Sequence, residues 1–451
     1  MLPLSLRTLA TRTLLLLVIA SAVSCSSLPP EDGIRVVSAE KRIDLTGPIV
    51  KVFLTLKVEN APTASEASRV LLAFTPTEVQ HLSIVKATRA EGKHKKKAFV
   101  PLSIEASELA TTAPDAPRLY SVLLSTPLKP GDATTLEVLY MLTHSLEPFP
   151  AEISQSESQL VYYRDSAVLL SPYHVLEQVT YIKMPSNRIE SFTRVDPTTR
   201  AGSEVKYGTY NNQMPNSYLP ILVHYENNRP FAVVEELVRK VEISHWGNIQ
   251  ITEQYKLKHG GARHKGVFSR LEYQSRPSVS GASSFKNLLV RLPPRVHSVY
   301  YRDEIGNISS SHLRTDSHKS ELEIEPRYPL FGGWHCTFTV GYGLPLQDFV
   351  FESVDGRRYI NLTFGCPLLD TVVDDLTVKT SYSYLDVVGR TTVVLKKKNV
   401  VGEHNVPFQV YYEFNPIFML AEPLMLISAV LLFFVAFIAY LHMDLSIRKS
   451  S

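Results

Sequence analysis

Four side chains near the middle of the chain come closest to the donor set of a metal or acid–base centre. His245, Glu253, His259 and His264 fall within one short stretch, and imidazole with carboxylate is what a catalytic zinc takes. The surrounding residues argue against that chemistry. His259 and His264 stand in Lys258-His259-Gly260-Gly261-Ala262-Arg263-His264-Lys265, where paired glycines make a loop and flanking cations oppose a bound cation. Glu235 and Glu236 are adjacent, so on a strand their carboxylates diverge, and they form no obvious acid–base pair. His335 beside Cys336 has the composition of a thiol–imidazole pair, but the run Trp334 to Val340 reads as a strand with the sulfur in packing. No Gly-x-Ser-x-Gly elbow, His-Glu-x-x-His helix, P-loop or dinucleotide fingerprint occurs. We assign no catalytic, cofactor-binding or metal-binding residue and expect no cofactor.

The remaining chemistry is modification, and it depends on compartment. Asn307-Ile308-Ser309 and Asn361-Leu362-Thr363 are acceptor tripeptides for N-glycosylation, meaningful only in a translocated domain. Cys25 lies near the end of the N-terminal apolar segment; Cys336 and Cys366 remain, and an oxidising compartment allows them to pair. The 30-residue loop between them would contribute about 3–4 kcal/mol on the chain-entropy estimate.

The elements that position these residues are mostly strands. Val50 to Val58 alternates apolar and polar side chains, and Leu136 to Leu142 repeats the pattern. Val241 and Ile243, then Ile249 and Ile251, flank Trp246-Gly247-Asn248 as a hairpin. Leu376 and Val378 precede a short strand at Thr392 to Leu395. Helical spacing is scarce, with candidates at Thr63 to Ala73 and Phe231 to Lys240. Proline, 29 residues, punctuates the strands. The expected fold is mainly β: two tandem sandwich-like domains at 25–225 and 226–415, followed by a single C-terminal membrane helix. Pro326 to Trp334, with Gly332 and Gly333, reads as a tight bend between strands or as a partner contact. Tyr-Tyr-Arg-Asp occurs at 162–165 and at 300–303, too short a string to establish duplication.

Two apolar ends set the topology. Arg7 and Arg12 precede the run around Leu14 to Ala20, followed by small residues, which is a signal peptide over 1–24. Leu424 to Leu441 is uncharged and covers about 27 Å as a helix; the span is set at 416–441, with Glu422 and Pro423 interrupting its start. Glu422, Ser428 and Ala429 are candidates for contact with other membrane helices. Arg448 and Lys449 in the tail 442–451 favour a cytosolic tail and a translocated bulk. A net charge of +3 argues against nucleic acid as a partner. The basic runs at Lys93, Lys95 to Lys97 and Lys396 to Lys398 read as solvated loops or strand ends.

Several stretches together resemble the ribophorin I family: His245-Trp246-Gly247-Asn248-Ile249-Gln250 with Glu253, His259-Gly260-Gly261-Ala262, Lys265-Gly266-Val267-Phe268-Ser269-Arg270, Tyr301 to Ser309, Pro329-Leu330-Phe331-Gly332-Gly333-Trp334, Gly341-Tyr342 with Leu344-Pro345, and Glu422-Pro423-Leu424. The resemblance is densest from residue 230 to 445. It implies a non-catalytic subunit of the oligosaccharyltransferase complex of the endoplasmic reticulum, which transfers a preassembled glycan from dolichyl diphosphate to Asn in Asn-x-Ser/Thr. It further implies a lumenal β-rich scaffold that supports a separate catalytic subunit and helps present nascent polypeptide, with accessory subunits, membrane lipid and the translocon as partners. No catalytic residue carries over. Animal members carry a sizeable cytosolic domain after the span, whereas ten residues follow it here, so ribosome contact through such a domain is not expected. Two other classes compete: a membrane-anchored receptor, which would leave the reticulum, and a type I membrane hydrolase, which would need an active pocket in the ectodomain.

Overall fold

The computed structural model describes residues 33–91, 98–107, 116–276, 279, 281–316, 318–383, 389 and 391–443. The expected leader at 1–24, Cys25, the basic run from Lys93 to Lys97 and the tail beyond Met443 lie outside these residues. What is described is mainly β, with one long apolar helix at the C-terminal end.

The expected strands are present and the alternation sets their faces. Val50–Asn60 buries every second residue from Val50 to Asn60, and Ala133–Leu142 pairs with it antiparallel. Buried apolar side chains gather into two large clusters, one running from Ile34 to Phe231 and the other from Ala232 to Val410. The sequence-based limit at 225/226 thus lies a few residues before the point where the clusters divide.

The two halves repeat one topology. In the second, the sheet order is His297–Asp303, His335–Pro345, Asn248–His259, Ala232–Ser244, Thr371–Ser383, Val393–Val400. In the first, the inner strands run Leu82–Glu91, Ala133–Leu142, Val50–Asn60, Ile34–Asp44, Val175–Lys183, Glu204–Gln213, in the same spatial and chain order. Ile34–Asp44 and Ala232–Ser244 each lie antiparallel to the next strand and parallel to a distant one. Each carries a bulge at the same place, Val36/Ser38 in one and Val234/Glu236 in the other. Smaller sheets repeat as well. Ala67–Phe74, Arg118–Leu128 and Ile104–Ala106 answer to Leu288–Leu292, Ser320–Ile324 and His312–Thr315; Leu146–Pro148, Leu160–Ser166 and Pro220–Glu226 answer to Val350–Glu352, Arg358–Thr363 and Pro407–Tyr412. The Tyr-Tyr-Arg-Asp string does not mark this repeat. Its copies lie on Leu160–Ser166 and His297–Asp303, which are not equivalent strands.

Both helical expectations fail, for identifiable reasons. The segment Thr63 to Ala73 leads into the strand Ala67–Phe74, whose residues from Val70 to Phe74 are all buried, and a continuous apolar run of this kind imitates a helical face. Phe231 to Lys240 is the start of the strand Ala232–Ser244. Its bulge inserts one residue between buried Val234 and buried Leu237, and that shift turns a period of two into helix-like spacing.

The repeat extends to a buried cation. Lys41 and Arg239 each stand three residues beyond the bulge, and both are buried. Lys41 Nζ lies 2.7 Å from Asp165, which also accepts from Tyr163 Oη at 2.6 Å. Arg239 lies 3.0 Å from Glu253, which accepts from Tyr255 Oη at 2.7 Å and Tyr342 Oη at 3.0 Å. Its guanidinium also donates to the carbonyls of Thr363 and Gly365. Register pairs Lys41 with Leu54 and Arg239 with Glu253, so the second half draws its anion from the adjacent strand and the first from another sheet.

The membrane-length helix is Ala421–His442, preceded by a 3-10 turn Pro416–Leu420. Its 22 residues extend about 33 Å. Glu422 and Pro423 do not interrupt it but form its first turn. There an N–H has no partner to lose, and a carboxylate suits the helix dipole.

Candidate functional site

The residues that looked able to do chemistry are held by the fold in ion pairs, hydrogen bonds or ring packing. Glu253 is engaged by Arg239, Tyr255 and Tyr342. His259 Nδ1 accepts from Gly261 N, so Nε2 carries the proton and donates to Ser283 O at 2.6 Å; burial holds its pKa down to about 4. His264 packs against Phe331 and Trp334. His245 stacks on Phe414 and accepts from Arg358 at 3.1 Å; burial and then the Arg358 charge lower it to about 4. Among the described residues, no three His, Cys, Asp or Glu side chains converge as a metal site. Glu235 and Glu236 pair separately with Lys258 and Lys256 across the strand.

Cys336 and Cys366 are free thiols, so the expected disulfide is not formed. Both belong to the second core, but their surroundings differ. Burial and the nearby Asp303 and Glu304 carboxylates push Cys336 up to about 11. Burial and Glu253 push Cys366 up to about 12. Neither is a nucleophilic thiolate at neutral pH. Asn307 is exposed in a loop, while Asn361 is half-buried in the middle strand of the sheet formed by Val350–Glu352, Arg358–Thr363 and Pro407–Tyr412. Glu422, Ser428 and Ala429 are all exposed; Ser428 Oγ donates to Met425 O within the helix.

What the structure does build is a pair of joints between the two halves. At the first, Glu152–Ile153 pairs with Arg263–His264 as parallel strands. Buried Gln159 donates to Asn227 O and accepts from Ala262 N, both at 2.8 Å. Gln155 bonds both backbone groups of Ser269. Glycine is required here because the packing is close: a Cβ at Gly332 would lie 1.7 Å from Ala262 O within the second half, and one at Gly261 would lie 2.1 Å from the Gln159 side-chain Oε1 across the joint. The expected bend at Pro326 to Trp334 is thus an internal contact: Phe331 and Trp334 pack with Phe268 and His264 against the joint.

The second joint is apolar at its centre, where Ile49 and Met141 of the first half meet Val372 and Val401 of the second. Polar bonds surround it. Asn399 Oδ1 accepts from Thr143 Oγ1 at 2.6 Å, and Asn399 O accepts from Ser83 Oγ at 2.6 Å. Lys51 pairs with Glu403 and His144 with Asp374. Asn399 has φ 53°, a left-handed conformation that asparagine tolerates better than most side chains; Asn212, at the equivalent place in the first half, has the same φ. Beside this joint opens a cleft of about 700 Å³ with Arg291, Lys319 and Asn361 on its wall. Two of its cations, Arg291 and Lys319, already meet Glu321.

The ribophorin I family model matches residues 34–381 and 376–441. The chain belongs to the ribophorin I family. It is 83% identical to dolichyl-diphosphooligosaccharide–protein glycosyltransferase subunit 1B of Oryza sativa subsp. japonica, over 95% of each chain. It is 59% identical to subunit 1B of Arabidopsis thaliana, covering 96% of this chain and 97% of that one. Subunit 1 of Caenorhabditis elegans is 34% identical, over 93% of this chain and 74% of its own. Among solved structures, a two-domain M1 zinc metallopeptidase aligns at 15% identity over 47% of this chain and 48% of its own, with a TM-score of 0.27, which carries no argument. Two of the ribophorin-like stretches read from the sequence, His259 to Ala262 and Pro329 to Trp334, are the segments that build the first joint. Their glycines are visible in the sequence, but Gln159, which accepts from Ala262, lies more than 100 residues away and carries no signal there.

Proposed function

We propose that this chain is a non-catalytic, membrane-anchored subunit of the oligosaccharyltransferase that moves a preassembled glycan from dolichyl diphosphate to Asn in Asn-x-Ser/Thr sequons. The observation that carries this reading is the 83% identity, over 95% of both chains, to a protein named as subunit 1B of that enzyme. The placement of the histidines and carboxylates supports it, since each is committed to packing or pairing. Two lumenal sandwich-like domains, 25–225 and 226–415, stand on a span within 416–441 in the endoplasmic reticulum membrane, with the tail 442–451 in the cytosol. Glu422, Ser428 and Ala429 face neighbouring subunits' helices. Catalytic and accessory subunits, nascent polypeptide and the translocon are the partners.

The mechanism is positioning. One joint would leave a hinge between the halves, but two separated joints oppose relative rotation. A rigid body anchored at one end holds its partners, and a polypeptide bound to them, at fixed distance from a catalytic centre. That raises effective concentration without contributing a reacting group. The test is a mild-detergent pull-down of the tagged full-length chain, with mass spectrometry and an acceptor-peptide assay on the eluate. Stoichiometric recovery of a multispanning glycosyltransferase subunit with transfer activity is expected. An intact solubilised complex lacking both would return the chain to the receptor or hydrolase class.

A further inference from the structure

The end of the second half from which the membrane helix emerges carries apolar side chains that, among the described residues, stand exposed. Register fixes which loops lie there. Arg358 pairs with both Glu352 and Tyr412, so the hairpin between Glu352 and Arg358 lies at the end where the chain leaves for the helix. Ser244 pairs with Asn248, and the hairpin they close is fixed to that end by His245, whose ring stacks on Phe414 at 3.5 Å. The Arg358 guanidinium covers the same Phe414 ring at 4.9 Å and donates to His245. The root of the helix is therefore clamped to the sheet.

On these tips, Trp246 is 63% exposed and Val354 fully exposed. Phe351, Tyr359 and Tyr411 form a cross-strand aromatic row beside them, with centroids 5.7 and 5.0 Å apart. From Phe414 the chain reaches the helix through the five-residue 3-10 turn Pro416–Leu420, on the order of 10 Å of rise. The polar layer of a bilayer is about 5–8 Å thick on each side, and Trp and Tyr favour that depth. Charge at this end is mixed: Arg357 faces Glu413, and Glu352 and Asp355 lie in the same hairpin. Attraction to a strongly anionic surface is not built in.

We propose that these two hairpin tips seat in the zwitterionic headgroup layer of the lumenal leaflet, so that the ectodomain stands on the bilayer in a fixed orientation. This rests on the reading that Ala421–His442 spans the membrane. Trp246 enters the headgroup layer, and the Phe351–Tyr359–Tyr411 row lines its rim.

The chain contains two tryptophans, which supply both probe and control. Trp246 lies at one end of the ladder between Asn248–His259 and His335–Pro345, and Trp334 lies at the other, roughly 33 Å away. The full-length chain is reconstituted in phosphatidylcholine nanodiscs containing headgroup-nitroxide lipid, and tryptophan emission is recorded. Expected is a lipid-quenched component that disappears in Trp246→Ser and persists in Trp334→Phe, where emission falls at least twofold. Residual Trp334 emission in Trp246→Ser should be insensitive to the nitroxide. Trp246 that escapes the lipid quencher overturns the proposal, whether acrylamide reaches it (free in water) or not (covered by protein). Quenching of both tryptophans also overturns it, because the ectodomain would then lie flat. Co-elution with the nanodisc after alkaline wash is scored separately. A chain released by that wash fails the spanning reading itself.

Discussion

The buried pair of the second half can be dissected with replacements suggested by the first. Arg239→Met removes the cation and leaves Glu253, whose side chain is 0% exposed, with only the two tyrosine hydroxyls for partners. Stranding a buried charge in this way costs roughly 3–5 kcal/mol. Glu253→Leu alone strands the guanidinium, though the carbonyls of Thr363 and Gly365 still accept from it, and the cost falls at the lower end of that range. The double variant carries no buried charge. Leucine at this place has a precedent, since Leu54 stands opposite Lys41 in the equivalent register. Its remaining cost is the loss of acceptors for Tyr255 and Tyr342, about 1–3 kcal/mol per hydroxyl left unpaired. That hydroxyl loss is shared with Glu253→Leu and cancels in the cycle, so the double variant should be more stable than the sum of the singles predicts by roughly the cost of stranding Glu253, about 3 kcal/mol or more. Urea unfolding of the four full-length proteins in one detergent, followed by Trp334 fluorescence, measures the cycle. Additive losses would refute the claim that the pair, rather than the packing of each side chain, matters here.

Three further outcomes follow from the same geometry. Asn399→Ala removes the acceptor of Thr143 and places a Cβ-restricted residue at positive φ, so it should cost about 1–3 kcal/mol and raise proteolytic cleavage between the halves. His259 is neutral in the folded chain, with its pKa lowered to about 4, and an unfolded imidazole titrates near 6.5. Its contribution is full above about pH 6.5 and is lost as pH falls toward 4, with a slope up to about 1.4 kcal/mol per pH unit; His259→Asn, which borrows the residue found at the equivalent place in the first half, Asn60, should flatten that slope in acid-unfolding curves. Intact-mass analysis should show a glycan lost in Asn307→Gln and none lost in Asn361→Gln, because Asn307 is exposed in a loop and Asn361 sits within a paired strand.

Much of the strand content was legible because one-sided burial imposes a period of two, as at Val50–Asn60. The errors were local. At Glu235 a bulge broke the alternation, and at Val70 to Phe74 burial on both faces removed it. The disulfide expectation failed differently, since loop length says nothing about where two side chains end. The duplication was hidden by divergence: Lys41-Arg42-Ile43-Asp44 answers to Arg239-Lys240-Val241-Glu242, a pattern of charge and shape without one identical residue. The joint was hidden by distance, because Gly261 reads as a flexible loop until Gln159 is placed against it.

That last point bears on what the fold is for. Paired glycines in an exposed loop would cost order without return, and a duplicated β unit could have been strung on a flexible linker. Here the glycines allow close packing where any side chain would collide, and Gln159 ties the strand ends on both sides of the division between the cores. The second joint uses different chemistry, an apolar centre ringed by Asn399, Lys51 and His144, so a single substitution does not release both. At the opposite end, His245 and Arg358 hold Phe414 at the root of the helix. Each device removes a rotation between the first half, the second half and the membrane helix. For an enzyme with its own catalytic residues this stiffness would be incidental, but for a subunit whose contribution is distance and orientation, it is the mechanism.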